Sequence, residues 1–296
     1  MSTRPVAATR SSLHVVTVCS IGRRGHLLRQ LEAVRRWLPD AVHHTVQIGP
    51  EPFDVPGSRC LERTGPGPVN LAAARNAAGD AAARDGAEVI VFLDADCVPG
   101  PELGPAYAAA AAEHPGVLCG PVTYLRAEDR GCELSRLPAL RSPHPARPDP
   151  PAGEVRRASP AQRVLFWSLS FALTSATWRE LRRRFGGFCE RFTGYGGEDT
   201  DFAMSLAHEG IPLQWVGGAD AFHQWHPVSS PPVEHLDDIL RNGEVFARRW
   251  GWWPMEGWFE AFEQRGLVVA DGPGWRRADG PPPAGQDAPP AAGSEP

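Results

Sequence analysis

Between residues 13 and 125, short apolar β-branched runs alternate with stretches of helical spacing, and this alternation is the strongest constraint on the fold. LHVVTVC (13–19) reads as a buried strand. In GHLLRQLEAVRRWL (25–38), Leu27, Leu28, Leu31, Val34 and Leu38 recur at helical intervals, and Pro39 ends the run. AVHHTVQI (41–48) reads as a second strand, followed by a Pro/Gly-rich loop through Pro68. NLAAARNAAGDAAARDG (70–86) reads as an alanine-rich helix, and EVIVFLDADC (88–97) as a strand that stops at an acidic turn. A further alanine-rich helix after Pro101 runs to about His114, and GVLCGPVTYL (116–125) supplies another strand. Such spacing implies βαβ units. The expected class is α/β, a single domain with a mostly parallel sheet and helices on both faces. Sheets of this kind place ligands beyond the carboxyl ends of their strands, and the acidic turn at residues 94–96 sits at one.

Order is expected to break at residues 126–160, where RSPHPARPDPPAGEVRRASP suggests a Pro-rich mobile loop or insertion. It resumes at residues 161–270. VLFWSLSFALTSATWRELRRRFGGF (164–188) reads as a strand leading into a basic helix, and another helix starts near Glu198. LQWVGGADAFHQWH (213–226) reads as two short strands and VEHLDDILRNGEVFARRWG (233–251) as an amphipathic helix. Residues 1–12 read as a flexible N-terminus and 271–296, rich in Gly, Pro and Ala, as a disordered tail.

A net charge of −5 and a pI near 6.1 argue against a broad nucleic-acid-binding surface. No apolar run reaches membrane-spanning length and MSTRPVAATRSS has no signal-peptide core, so no integral membrane segment is expected. The six cysteines form no CxxC pair and no zinc-type spacing, which fits reduced thiols in a cytoplasmic setting, with peripheral membrane association left open. All 30 basic residues are arginine, a side chain suited to phosphate.

Several short motifs could carry chemistry. Asp94 and Asp96 flank one small residue at a strand end, close enough to share a hard divalent cation or its waters. The plainer account is an Asp-rich turn bonding its own backbone. His223 and His226 have a spacing that suits one metal, and imidazole favours Mn²⁺-like or softer ions over Mg²⁺. Alternatively they are strand-end histidines that pack. In GYGGEDTDF (194–202), acids in a first helical turn suit the helix dipole, yet Glu198, Asp199 and Asp201 together exceed what capping needs. A carboxylate on such a turn could take a proton from a substrate hydroxyl. Arg75, beside Asn76 on the alanine-rich helix, could contact phosphate or simply face solvent. Trp167, Trp178, Phe192, Tyr195 and Trp225 are candidates for a sugar-stacking wall, with core packing the better account of Trp178. Packing is also the better account of WGWWPMEGWF (250–259).

Taken together, PGPVNLAAARNAAGDAA, EVIVFLDADCVPGPE, FGGFCERFTGYGGEDTDFAMSLAHEG and AFHQWHP resemble a family 2-type glycosyltransferase of GT-A fold, with a galactosyltransferase-like C-terminal region. The resemblance spans about residues 13–265 and is specific in its D-x-D plus G-G-E-D pair. It implies a nucleotide-sugar-binding half at 13–125 and an acceptor and catalytic half at 161–270. Asp94 and Asp96 would hold Mn²⁺ (or Mg²⁺) against the donor diphosphate, with His223 as a further metal ligand and His226 as second choice. Arg75 and Asn76 would face the nucleotide. Asp199 would be the catalytic base, with Glu198 turned toward acceptor or donor hydroxyls. The activity implied is inverting transfer of a sugar, with a UDP-sugar as the expected donor, to a carbohydrate, lipid-linked or small-molecule hydroxyl. Two departures stand out. The first strand ends in TVCSIGRRG rather than a Pro-Thr-Tyr-Asn type of turn, and neither Glu51 nor Asp54 falls at the usual nucleotide-contacting acidic position. A nucleotide-sugar-binding protein without transferase activity and a metal-dependent nucleotide-sugar hydrolase are the alternatives.

Overall fold

The structure, a computed structural model, describes residues 12–279. Its strands are β1 (Leu13–Ser20), β2 (Val42–Gly49), β3 (Arg59–Thr64), β4 (Val89–Leu93), β5 (Cys97–Pro99), β6 (Val117–Cys119), β7 (Val122–Tyr124), β8 (Val155–Arg157), β9 (Ser170–Thr174), β10 (Leu213–Val216), β11 (Ala221–His223), β12 (Val268–Asp271) and β13 (Gly274–Arg277). The helices are α1 (Arg24–Trp37), α2 (Leu71–Arg84), α3 (Leu103–Glu113), α4 (Ser175–Phe185), α5 (Glu198–His208), α6 (Leu236–Trp250) and α7 (Glu256–Gln264).

Eight strands form the central sheet in the order β3-β2-β1-β4-β9-β6-β10-β8. β3, β2, β1 and β4 run parallel, and β9 runs antiparallel to both β4 and β6. The mostly parallel α/β sheet expected from the alternation of elements is therefore present. β4 is buried along its whole length, because helices cover both sheet faces and leave it no solvated side. One core lies under α2, α4 and α5, with Phe92, Phe171, Trp178, Phe188 and Phe202; the other gathers Val15, Val91, Leu103 and Tyr107. α2 can lie so close to the sheet because it is alanine-rich. A side chain at Gly79 would run into Trp178 and Phe92. Trp178 is fully buried and its indole N–H donates to Asp80, so it is core, as the sequence suggested.

A smaller sheet, β5-β11-β7, sits at the carboxyl end of the main one. Its register sets His223 opposite both Cys97 and Tyr124. That pairing brings a C-terminal histidine beside the acidic turn after β4.

Residues 126–160 depart from the expectation of a loose loop. They carry short 3₁₀ turns, bury Leu134 and Leu137, and contribute edge strand β8 antiparallel to β10. Arg141 pairs with Asp149 (2.5 Å) and Asp220 (2.8 Å), tying the segment down. Prolines suppress periodicity in sequence without preventing packing through side chains and turn bonds. Residues 271–277 likewise belong to the β12–β13 hairpin rather than to a tail, whereas the remaining expectations for 1–11 and 280–296 lie outside the described residues. The Pro/Gly-rich stretch also hides an exposed edge strand, β3, whose burial pattern gives no clean alternation. None of the six cysteines forms a disulfide. No described helix is long and apolar enough to cross a membrane.

Candidate active site

The parallel strands β1 and β4 end on the same rim, so the turn following each emerges at the edge where sheets of this kind place ligands. Behind β4 the chain turns tightly, with the Cys97 N–H donating to the Asp94 carbonyl (2.9 Å). Gln30 of α1, fully buried, clamps this turn by donating to the carbonyls of Asp94 (2.7 Å) and Cys97 (2.8 Å), while its own carbonyl accepts from Thr17. On the far side the Asp94 N–H donates to the Leu169 carbonyl and the Gln224 N–H to the Asp96 carbonyl. The acidic turn is thus fixed from three elements.

Its two carboxylates point to different partners. Asp96 lies between His223 (Nε2 to Oδ1, 3.5 Å) and His226 (Nε2 to Oδ2, 3.4 Å). The donor atoms of these three residues all fall within 4.8 Å of one another. Ligands about 2.1 Å from one ion stand roughly 3–4 Å apart, so a small inward closure would suffice. One carboxylate with two imidazoles is a donor set for Mn²⁺ or a similar transition ion rather than for Mg²⁺. Burial alone would raise the Asp96 carboxyl, but His223, His226 and Arg23 outweigh it and hold it well below the usual carboxylate range.

Asp94 is turned away from that set, toward Arg75. The Arg75 guanidinium, on the buried face of α2, donates to Asp94 Oδ1 (3.4 Å) and to Glu198 Oε1 (2.8 Å). Burial would lower its pKa, but the carboxylates around it raise it, so it stays a fixed cation. The Asp94 carboxyl is pushed up to about 6, by burial first, with Asp96 adding and Arg75 opposing. The metal ligands expected from sequence therefore separate. Asp96 and His223 come together, His226 joins them on equal terms, and Asp94 stands apart on an arginine. The reason is the turn itself, which sends alternate side chains toward α2 and toward β11.

Gly196 and Gly197, both near φ +90°, make the turn into α5 that non-glycine residues would resist. The three acids behind it have three different tasks. Glu198 is buried on Arg75. Asp201, 1 % exposed, accepts from Arg249 (2.6 Å) and the Trp250 indole (2.8 Å), fastening α6 to α5. Asp199 is half-buried and accepts from the Thr200 N–H (2.7 Å). Burial pushes its carboxyl up to about 7, the Glu198 charge adds to the rise, and the Thr200 N–H and Arg75 oppose it. It also feels the charge of Asp94, so the two motifs share one electrostatic environment.

Asn76 is not turned to the cleft. Its amide donates to the Phe188 carbonyl and to Glu190 and accepts from the Phe188 N–H, pinning the loop ahead of the glycine turn. Of the aromatic candidates, Phe192 is core and Tyr195 stacks on His235 (4.4 Å) and Trp258. Trp225 lies under Arg130. Trp167, beside the Asp94 turn, packs edge-on to His144 (5.0 Å) and against Arg147 of the Pro-rich segment. Much of the 250–259 cluster packs: Trp253 meets Phe259, and Trp250 bonds Asp201. Sequence reasoning missed Arg23 and Gln30. Gln30 had a legible signal, a polar residue on the apolar face marked by Leu27, Leu31 and Val34.

No protein-family model matches the sequence, and no curated protein matches it significantly. Solved structures do resemble it. S. aureus TarS superposes with a TM-score of 0.50 at 13 % identity, over 83 % of this chain and 45 % of that one. GalNAc-T7, in a structure with UDP, GalNAc and Mn²⁺, superposes with a TM-score of 0.50 at 16 % identity, over 89 % of this chain and 53 % of that one. The chain therefore spans about half the length of each. Both are glycosyltransferases of GT-A type, and at these identities the likeness speaks for architecture alone: the chain has a GT-A-like fold.

Proposed function

We propose that this protein is an inverting glycosyltransferase that moves a sugar from a nucleotide sugar, with UDP as the expected nucleotide, to an acceptor hydroxyl. The observation that carries the reading is the Arg75 bridge between Asp94 and Glu198, which joins the two acidic motifs, with Asp96 of the first motif clustered with His223 and His226. A divalent ion held by Asp96, His223 and His226 would offset the charge that develops on the leaving diphosphate. Asp199, with its carboxyl raised, is a base matched to neutral pH. It takes the acceptor proton as the acceptor oxygen bonds to the anomeric carbon. The bond from that carbon to the diphosphate breaks, and its electron pair leaves with the diphosphate. A base on the face opposite the leaving group gives inversion. Arg75 holds Glu198 in place beside the base, and the Gln30 clamp keeps the Asp96 turn from shifting.

The test is a pair of variants read by two methods. Asp96→Asn should lose the Mn²⁺-dependent rise in Tm that UDP gives the wild type, since a ligand of the native state raises its stability. Asp199→Asn should keep that rise and lose transfer to an identified acceptor. Wild-type transfer by either variant refutes the reading.

A further inference from the structure

The turn after β1 carries a charge that the cation site must contend with. Arg23 ends the short helical turn Ile21–Arg23. Its Nε lies 3.8 Å from Asp96 Oδ2, the same oxygen that His226 approaches, and its Nη2 lies 3.3 Å from His226 Nδ1. The neighbouring Arg24 goes elsewhere, donating to the Asp54 carbonyl (2.9 Å). The Arg23 side chain is 37 % exposed, so it reaches Asp96 from the solvent side rather than from the core. It therefore lies beside the carboxylate that the proposed ion would also need, and it touches His226 at Nδ1, on the opposite edge of the ring from the Nε2 that faces Asp96.

Two cations cannot share those partners at such distances without strong repulsion. Arg23 gives way when an ion binds, and its guanidinium is then available to another anion. A diphosphate bound over the ion supplies one, because a planar guanidinium pairs well with phosphate oxygens. We propose that Arg23 is a diphosphate-binding residue of the donor site that occupies Asp96 until the nucleotide arrives, and so makes the cation's binding conditional on a nucleoside diphosphate. The inference rests on the donor reading above and adds an order of assembly to it. Mn²⁺ alone binds poorly, nucleotide and ion bind together, and the coupling passes through one side chain that exchanges partners.

Isothermal titration of the full chain tests this with three probes: Mn²⁺ alone, UDP in saturating Mn²⁺ (GDP and CDP alongside), and uridine. Arg23→Ala should bind Mn²⁺ alone about tenfold more tightly and the diphosphate about tenfold more weakly, a coupling of ordinary size. Uridine affinity should not change, and Arg23→Lys should fall between. A residue that merely supports the fold would weaken both ligands together, so opposite shifts are the signature. Unchanged or weaker Mn²⁺ binding, unchanged diphosphate binding, or an equal loss of uridine binding in Arg23→Ala overturns the inference. If the wild type binds none of the three diphosphates, the donor reading itself falls. If it binds one and Arg23→Ala binds it equally, only the role of Arg23 falls. Arg23→Lys, which keeps the charge, guards against a folding defect in the alanine variant.

Discussion

Arg75 and Glu198 are 123 positions apart in the chain, yet their side chains meet at 2.8 Å with both about nine-tenths buried. The same guanidinium reaches Asp94 at 3.4 Å. One buried cation thus joins the first acidic motif to the second, across the boundary between the two halves of the chain. Without it, Asp94, Glu198 and Asp199 would repel one another with no guanidinium between them, and the Thr200 N–H would offset only part of the charge on Asp199.

Replacing Arg75 with Met should therefore destabilise the protein by about 3–5 kcal/mol, the usual consequence of stranding a buried charge. Adding Glu198→Gln to Arg75→Met should recover part of that loss, and Arg75→Lys should lie between because an ammonium cannot fork to both acids. Urea denaturation measures all three. A cost below about 1 kcal/mol for Arg75→Met would mean the bridge is not formed.

If Asp199 is the base, as proposed, the pH dependence of transfer follows from it. Its carboxyl is raised, so it is protonated and useless as a base below about 7 and ionised above. With donor and metal saturating, kcat should rise about tenfold per pH unit on the acid side and level off above about 7. A flat profile between pH 5.5 and 8.5 contradicts the assignment.

Asp199 and Asp201 should respond in opposite ways. Asp201→Ala leaves Arg249 and the Trp250 indole without their acceptor and should lower stability by about 2–3 kcal/mol, while UDP binding persists. Asp199→Asn removes a carboxylate that the fold disfavours, so at pH 8 it should be neutral or stabilising while transfer is lost. Thermal unfolding and turnover, measured on both variants, separate anchor from base.

Acid should weaken the fold through a buried histidine pair away from the cleft. Burial first, then the charge of its neighbour, lowers His43 to about 3 and His44 to about 4. His44 Nε2 also lies 3.0 Å from His14 Nδ1. Both stay neutral in the fold but protonate near 6.5 when unfolded. Their contribution is complete above about 6.5 and falls by up to about 1.4 kcal/mol per pH unit per histidine as pH drops toward 4. Asp94 and Asp199, with raised carboxyls, act in the reverse sense over the same range. The informative quantity is the difference in slope between wild type and His44→Gln from pH 7 to 5. Equal slopes would rule the histidine out.

The local sequence makes most of the element order legible. Apolar β-branched runs and 3.6-residue spacing are local properties, and they marked β1, α1, β2, α2, β4, α3 and α6 close to where they lie. It also marked the two acidic motifs, because strand-end aspartates and a double-glycine turn follow from the needs of the backbone. Elements without periodicity stayed hidden, such as β3 in a Pro/Gly stretch, β8 in the Pro-rich segment, and the β12–β13 hairpin.

What each acid faces is set by long-range packing. Spacing cannot tell that Asp94 turns to Arg75 while Asp96 turns to two histidines, since both directions leave the same tight turn. Nor can it tell that Asp201 anchors α6, that Asn76 pins a loop, or that Arg23 arrives at Asp96 from the turn after β1. Side-chain partners more than a hundred residues away are set by how strands order in the sheet and how helices cross it. That ordering is a property of the whole buried core, which no short window of the chain contains.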